Sequence, residues 1–267
     1  MKWFKGPSGR MGLTAAAMVI GGACVLAAQQ AERQWKIHDM SRTRPQVITP
    51  GQFATADQPS KPPSDAIVLL GNGAVDLEKN WTGGRWTFAD GVYIPGGGDI
   101  KTRQEFGDCQ LHVEWAEPTP ASGSSQGRGN SGVIFFGHYE IQVLDSFEND
   151  TYPDGQCGAL YGEYPPLVNC CRPPGEFQTY DIVFRAPLFD EQHNMTRPGR
   201  FTVFQNGVLV QENAQIIGDT ADPRRKFTYF KATGPLDLQF HGNKVRYRQV
   251  WIRPLGPEVP VFQPAGE

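Results

Sequence analysis

A period of two, recurring in short segments through the middle of the chain, constrains its fold more than any other feature. Leu111, Val113 and Trp115 alternate with Gln110, His112 and Glu114. Ile141 and Val143 alternate with Glu140 and Gln142, and Tyr180, Ile182 and Phe184 with Asp181 and Arg185. Leu236, Leu238 and Phe240 alternate with Asp237, Gln239 and His241. Successive side chains of a strand point to opposite faces, so each segment predicts a strand with one apolar and one polar side. Residues 201–205 and 208–212 flank Asn206-Gly207, the dipeptide of a type I′ hairpin turn. Residues 245–253 predict a last strand. No long stretch carries a helical stripe, and 31 Gly and 22 Pro punctuate the chain. Many short strands with frequent turns predict an all-β sandwich or barrel.

The ends read differently. Lys2, Lys5 and Arg10 precede an uncharged apolar run at 13–26, and Val25-Leu26-Ala27 offers a small residue at a cut. That is the grammar of a secretory signal over residues 1–28, with an uncleaved anchor as the alternative. The run is short for a spanning helix. Cys24 lacks the aliphatic residue three positions earlier that a lipid-modified cysteine wants, because Gly21 stands there. An exported protein, periplasmic or extracellular, is expected, touching a membrane only through this segment if it is retained. Residues 29–65, with five prolines and no periodicity, read as a linker. Residues 66–255 read as the folded domain and 256–267 as a flexible tail. Export would leave Cys109, Cys157, Cys170 and Cys171 in an oxidising setting. Cys157 is then expected to pair with Cys170 or Cys171, the alternative being free buried thiols. No cysteine or histidine spacing suggests zinc. A net charge of −3 gives no field to draw nucleic acid.

The polar faces carry the functional signal. Three strands present His112 and Glu114, Glu140 and Gln142, and Asp237, Gln239 and His241 opposite their apolar sides. Acid, amide and imidazole groups donate to and accept from sugar hydroxyls, and they can move protons. A solvated outer face is the plain alternative. Glu140 and Gln142 share a face, and a β-bulge would bring Asp145 onto it as well. That spacing equals the E-x-D-x-x-E pattern of retaining jelly-roll β-glucanases, but Gln142 holds the place of the middle acid. Gly129-Asn130-Ser131-Gly132 reads as a turn or a ligand-facing loop. Tyr161 stacks on a sugar or simply packs, and Arg248 sits on a solvated edge or near a substrate oxygen.

Taken together and in order, several segments resemble the 3-keto-disaccharide hydrolase family. They are Gly129-Asn130-Ser131-Gly132-Val133, Tyr139-Glu140-Ile141-Gln142-Val143-Leu144-Asp145, Gly158-Ala159-Leu160-Tyr161-Gly162, Gly175-Glu176-Phe177-Gln178-Thr179-Tyr180, Asn206-Gly207-Val208, Leu238-Gln239-Phe240-His241-Gly242 and Val245-Arg246-Tyr247-Arg248, leading to Trp251-Ile252-Arg253. Phe177 stands where the family usually has Trp, and Gln249 where it usually has Asn. The resemblance implies a concanavalin A-like jelly roll of two antiparallel sheets, and cleavage of glycosides already oxidised at C3. A C3 ketone acidifies the C2 proton, so a carboxylate can abstract it, the glycosidic oxygen can leave, and water can add back. On this reading Glu140 or Asp145 is the base and His241 or Glu114 the proton donor. Arg248 or a bound cation stabilises the enolate, while Gln142, Asn130, Tyr161 and Gln239 contact the substrate. No cofactor is required, although a divalent cation is compatible with these acids. A lectin-like carbohydrate-binding domain and a conventional endo-β-glucanase are the competing readings.

Overall fold

Aromatic and aliphatic side chains from two antiparallel sheets meet face to face. The computed structural model describes residues 44–257 except 45, 221 and 223. The signal or anchor at 1–28, Cys24, the linker up to residue 43 and the tail from residue 258 lie outside the described residues. In chain order the strands are β1 (Ile67–Leu70), β2 (Trp81–Gly83), β3 (Trp86–Ala89), β4 (Val92–Pro95), β5 (Ile100–Thr102), β6 (Cys109–Ala116), β7 (Ser131–Phe135), β8 (Tyr139–Val143), β9 (Gln178–Arg185), β10 (Leu188–Phe189), β11 (Met195–Arg197), β12 (Arg200–Gln205), β13 (Val208–Gln215), β14 (Leu236–Leu238) and β15 (Arg246–Pro254). One short helix, α1 (Val75–Asn80), precedes β2.

The large sheet runs β13-β12-β9-β6-β15-β4-β3, with β1 alongside β15, and the small sheet runs β2-β5-β14-β7-β8. This is the all-β sandwich of antiparallel sheets that the alternation predicted. The I′ hairpin is present: Gln205 pairs with Val208, and Asn206 and Gly207 both have positive φ, at 52° and 80°. Phe135 of the small sheet packs on Phe184 and Phe201 of the large one, with ring centroids 4.5 and 5.1 Å apart. Val133, Ile141, Leu236 and Leu238 face the same core, against Leu111, Val113, Trp115, Tyr180 and Ile182. Two polar ties cross it. The Tyr180 hydroxyl donates to the Gln142 carbonyl at 2.5 Å, and Ser131 Oγ meets the Tyr247 hydroxyl at 2.7 Å.

Because the apolar side chains turn inward, both sheets carry polar residues on their outer faces. The two faces are treated differently. Residues 46–65, read from sequence as part of a linker, lie as a strap against the large sheet. Gln52 and Lys61 pair as a β-bridge, and Arg248 of β15 donates to the carbonyls of Thr55, Ala56 and Gln58. A proline-rich segment shows no periodicity when its backbone carbonyls, rather than an apolar stripe, fasten it.

Candidate functional site

On the small sheet the register lays out two rows of outward residues. Gly132 stands opposite Gln142, and Gln239 donates its backbone N–H to the Gly132 carbonyl at 3.0 Å. One register step along, Glu140 pairs with Ile134, which pairs with Asp237, which pairs with Lys101. The Glu140 carboxylate leans into the space above Gly132, since a Cβ built there would lie 2.3 Å from Glu140 Oε1. Asp99 closes the far side, accepting the Phe240 N–H at 2.7 Å.

Three acceptor oxygens on this face are buried and have no partner: Gln142 Oε1, Gln239 Oε1 and Asp237 Oδ1. A buried acceptor without a donor costs about 1–3 kcal/mol. Three on one face leave unfilled acceptor capacity next to Glu140. Gln142 is oriented by its own amide, which donates to Gln126 Oε1 at 2.9 Å, and Asp237 by Lys101 Nζ at 2.9 Å. Glu140 has no such help. Burial, and then the charge of Asp99, push its pKa up to about 7. Burial likewise raises Asp237 against the pull of Lys101. Glu163, two residues past Tyr161, is pushed up to about 7, chiefly by burial. Carboxyl groups poised near neutrality are what proton transfer requires.

The edge of the face is a tyrosine pair. The chain at 158–161 runs beside β8, with Gly158 N–H donating to the Gln142 carbonyl and Tyr161 N–H to that of Glu140, both at 3.0 Å. The Tyr161 and Tyr152 hydroxyls meet at 2.6 Å, and Tyr152 feels the Glu140 charge. Asn130 is buried nearby, its amide donating to the Gln126 carbonyl at 2.8 Å.

Of the nine residues singled out from sequence, the structure gathers Glu140, Gln142, Gln239, Tyr161 and Asn130 around this face. It separates Asp145, Glu114 and Arg248 from it, and leaves His241 two residues past Gln239. Asp145 is not brought into line by a bulge: β7 and β8 pair without a register shift, and Asp145 lies beyond the strand end. There Arg128 holds it bidentately at 2.7 and 3.0 Å. His241 is exposed in the segment between β14 and β15. Glu114 and Arg248 belong to the outer face of the large sheet, across the core from Glu140. Arg248 Nε bonds Glu114 Oε2 at 2.5 Å, and the Ser60 N–H of the strap bonds Glu114 Oε1 at 2.7 Å. His112 bridges Glu114 and Asp181 at 3.1 and 2.7 Å. Burial pulls the His112 pKa down, but the two carboxylates outweigh it and hold it at about 9. Arg248 also lies 4.0 Å over the Phe177 ring, so that departure from the family pattern sits under a fastening arginine. These ion pairs are turned toward one another, and Arg248 and Glu114 hold the strap.

Asp99, Asp237, Lys101, Gln126 and Tyr152 complete the site but were not among those nine. Asp237 was legible from its place beside Gln239 in the alternation. The others lie in loops or on a three-residue strand, where no period reveals a face. Among the described residues no three Asp, Glu, His or Cys side chains converge as a metal-ligand set.

The model of the 3-keto-alpha-glucoside-1,2-lyase-like domain family matches residues 65–253. A crystal structure of a candidate glycosyl hydrolase from Parabacteroides distasonis ATCC 8503 is similar over 82% of this chain and 95% of its own, at 36% identity and a TM-score of 0.73. A second from the same organism covers 71% of this chain and 99% of its own, at 20% identity and a TM-score of 0.51, and so speaks for the fold alone. Comparison with curated proteins found no match.

Proposed function

The chain belongs to the 3-keto-alpha-glucoside-1,2-lyase-like domain family, and from that premise we propose that it cleaves glycosides whose sugar carries a ketone at C3. Family and fold make it a carbohydrate-active protein. The observation that carries the finer reading is Glu140, a buried carboxyl with a pKa of about 7 among unpartnered acceptors.

In the proposed reaction the sugar hydroxyls donate to Gln142 Oε1, Gln239 Oε1 and Asp237 Oδ1, which fixes the ring over Gly132. Glu140 takes the C2 proton. The C2–H electrons form the enolate with C3, whose oxygen carries the negative charge, and the Lys101 ammonium supplies positive charge on this face. Collapse of the enolate restores the ketone, forms the C1–C2 double bond and breaks the bond from C1 to the glycosidic oxygen. The leaving oxygen takes a proton, which Glu140 now holds. Elimination across C1 and C2 agrees with the family description, and addition of water to the enone would complete a hydrolysis. One carboxylate suffices for this route. Double displacement needs two, about 5–5.5 Å apart, and Asp145 is bound to Arg128.

The test is turnover of a disaccharide and of its C3-oxidised form by the purified protein and by Glu140→Gln. Cleavage of the oxidised sugar alone, lost in a folded variant, supports the reading. Binding of either sugar without product would make the protein a carbohydrate-binding domain, and cleavage of the unoxidised sugar would make it a conventional glycosidase.

A further inference from the structure

Gln205 of β12 places its amide nitrogen between two sulfurs, 3.5 Å from Cys157 Sγ and 3.2 Å from Cys171 Sγ. Cys170, the neighbour of Cys171, turns elsewhere and donates to the Gln205 carbonyl at 3.4 Å. All four described cysteines are free thiols in this state, with Cys157 buried and Cys171 partly open. We propose that Cys157 and Cys171 form a reversible disulfide site, oxidised by disulfide exchange, and that the bond locks the segment carrying Tyr161 beside Glu140.

The surroundings give the two sulfurs different roles. The Cys157 thiol beside it and the Gln205 amide, which donates to its sulfur at 3.2 Å, lower the Cys171 pKa and favour its thiolate. Cys157 is enclosed, with the Tyr180 hydroxyl 3.1 Å from its sulfur, and burial keeps it a thiol. The Cys171 thiolate attacks an external disulfide, forming a mixed disulfide and releasing one thiolate. That thiolate takes the Cys157 proton, and Cys157 then attacks the Cys171 sulfur and expels the second thiolate. Two protein thiols are oxidised and one external disulfide is reduced to two thiols.

The bond would join two parts of the sandwich. From Cys157 the chain runs directly into the 158–161 segment paired with Gln142 and Glu140. Cys171 is held on the other sheet, where Asn206 of the β12–β13 hairpin donates to the Cys170 carbonyl at 3.0 Å. Closing this loop ties the edge of the small sheet to the hairpin of the large one. The crosslink stands whatever reaction the acidic face performs.

The experiment incubates the purified full chain with glutathione disulfide, alkylates the remaining thiols and maps the peptides. The expected result is one peptide joining Cys157 to Cys171, reversed by dithiothreitol, kept in Cys170→Ser and lost in Cys171→Ser. The crosslinked protein should melt on the order of 5–10 °C higher than the reduced one. An unchanged thiol count, a peptide joining Cys157 to Cys170, or a lasting glutathione adduct on Cys171 overturns the site. An unchanged Tm in crosslinked protein overturns the lock.

Discussion

The carboxylate of Glu140 occupies room that any side chain at residue 132 would take, with a Cβ on Gly132 falling 2.3 Å from Glu140 Oε1. The two residues sit on neighbouring strands, and the glycine leaves open the space that the carboxylate occupies. The strand itself does not need glycine there, since Gly132 has no positive φ and its backbone pairs normally with Gln142.

Gly132→Ala should therefore fold and fail. The methyl group displaces the Glu140 carboxylate from its working position, and a misplacement of about 1 Å costs on the order of 100-fold in rate. Circular dichroism should be native-like while kcat/KM for the C3-oxidised sugar falls by about that factor. Wild-type activity would show that the carboxylate does not act from this position.

Titration of Glu140 gives two opposed pH dependences. As the base it must be ionised, so kcat/KM should rise with pH through about 7. Its folded pKa lies above its ordinary value of 4.5, so the folded state holds the proton more tightly, and stability is lost as pH rises from 4.5 through 7. Glu163 and Glu117, the latter buried just past the end of β6, are raised by burial to about 7 and 8, and stability is lost through them in overlapping windows. Subtracting the variant isolates the single group. Glu140→Gln should be inactive and more stable than wild type at pH 8, by at most about 3 kcal/mol, with the gain vanishing near pH 4.5. Denaturant melts of both proteins from pH 4.5 to 8 measure this.

Gln142→Glu would restore the middle acid of the glucanase pattern. Here it should not create a glucanase. A second carboxylate two residues from Glu140 on the same face disfavours ionisation of both, so the inflection in kcat/KM should move up by about 1 pH unit. The new acid also loses the amide donor to Gln126 Oε1 and should lower the Tm. Turnover of an unoxidised glucan by this variant would count against the assignment.

Arg248→Ala separates fastening from chemistry. Arg248 is one of two cations on Glu114, with His112, and the donor to three strap carbonyls. Removing it leaves Glu114 with the His112 imidazolium and the Ser60 N–H alone, at a cost of about 1.5–3 kcal/mol for the lost charged hydrogen bond. Limited proteolysis should then cut within residues 50–62, which wild type protects. At a temperature where the variant is folded, KM for the oxidised sugar should be unchanged. A raised KM with an intact strap would bring Arg248 back to the substrate.

The strands could be read from sequence because alternation reports which side chains point inward, and β6, β8, β9 and β14 follow it. Alternation says nothing about which sheet a strand joins. Glu114 and Glu140 look alike in sequence, each an acid opposite an apolar face, yet they stand on opposite sides of the molecule. Pairing decides this, because β6 lies between β9 and β15 while β8 ends the small sheet. Asp145 misled for a related reason, since an acid two residues past a strand end obeys no period and Arg128 claimed it. Asp99 and Tyr152, on loops, became visible only when the fold brought them to Glu140.

The unsatisfied oxygens of Gln142, Gln239 and Asp237 have a practical consequence at the bench. On the proposed reading, hydroxyl groups that reach this face supply its missing donors, whether or not they belong to a substrate. Glycerol, sorbitol, sucrose and Tris are all dense in hydroxyl groups and are routinely present far above millimolar concentration. In a storage buffer they would fill this face by mass action and stabilise the protein. In an assay they would act as competitors, raising the apparent KM in proportion to their concentration and hiding a weak substrate altogether.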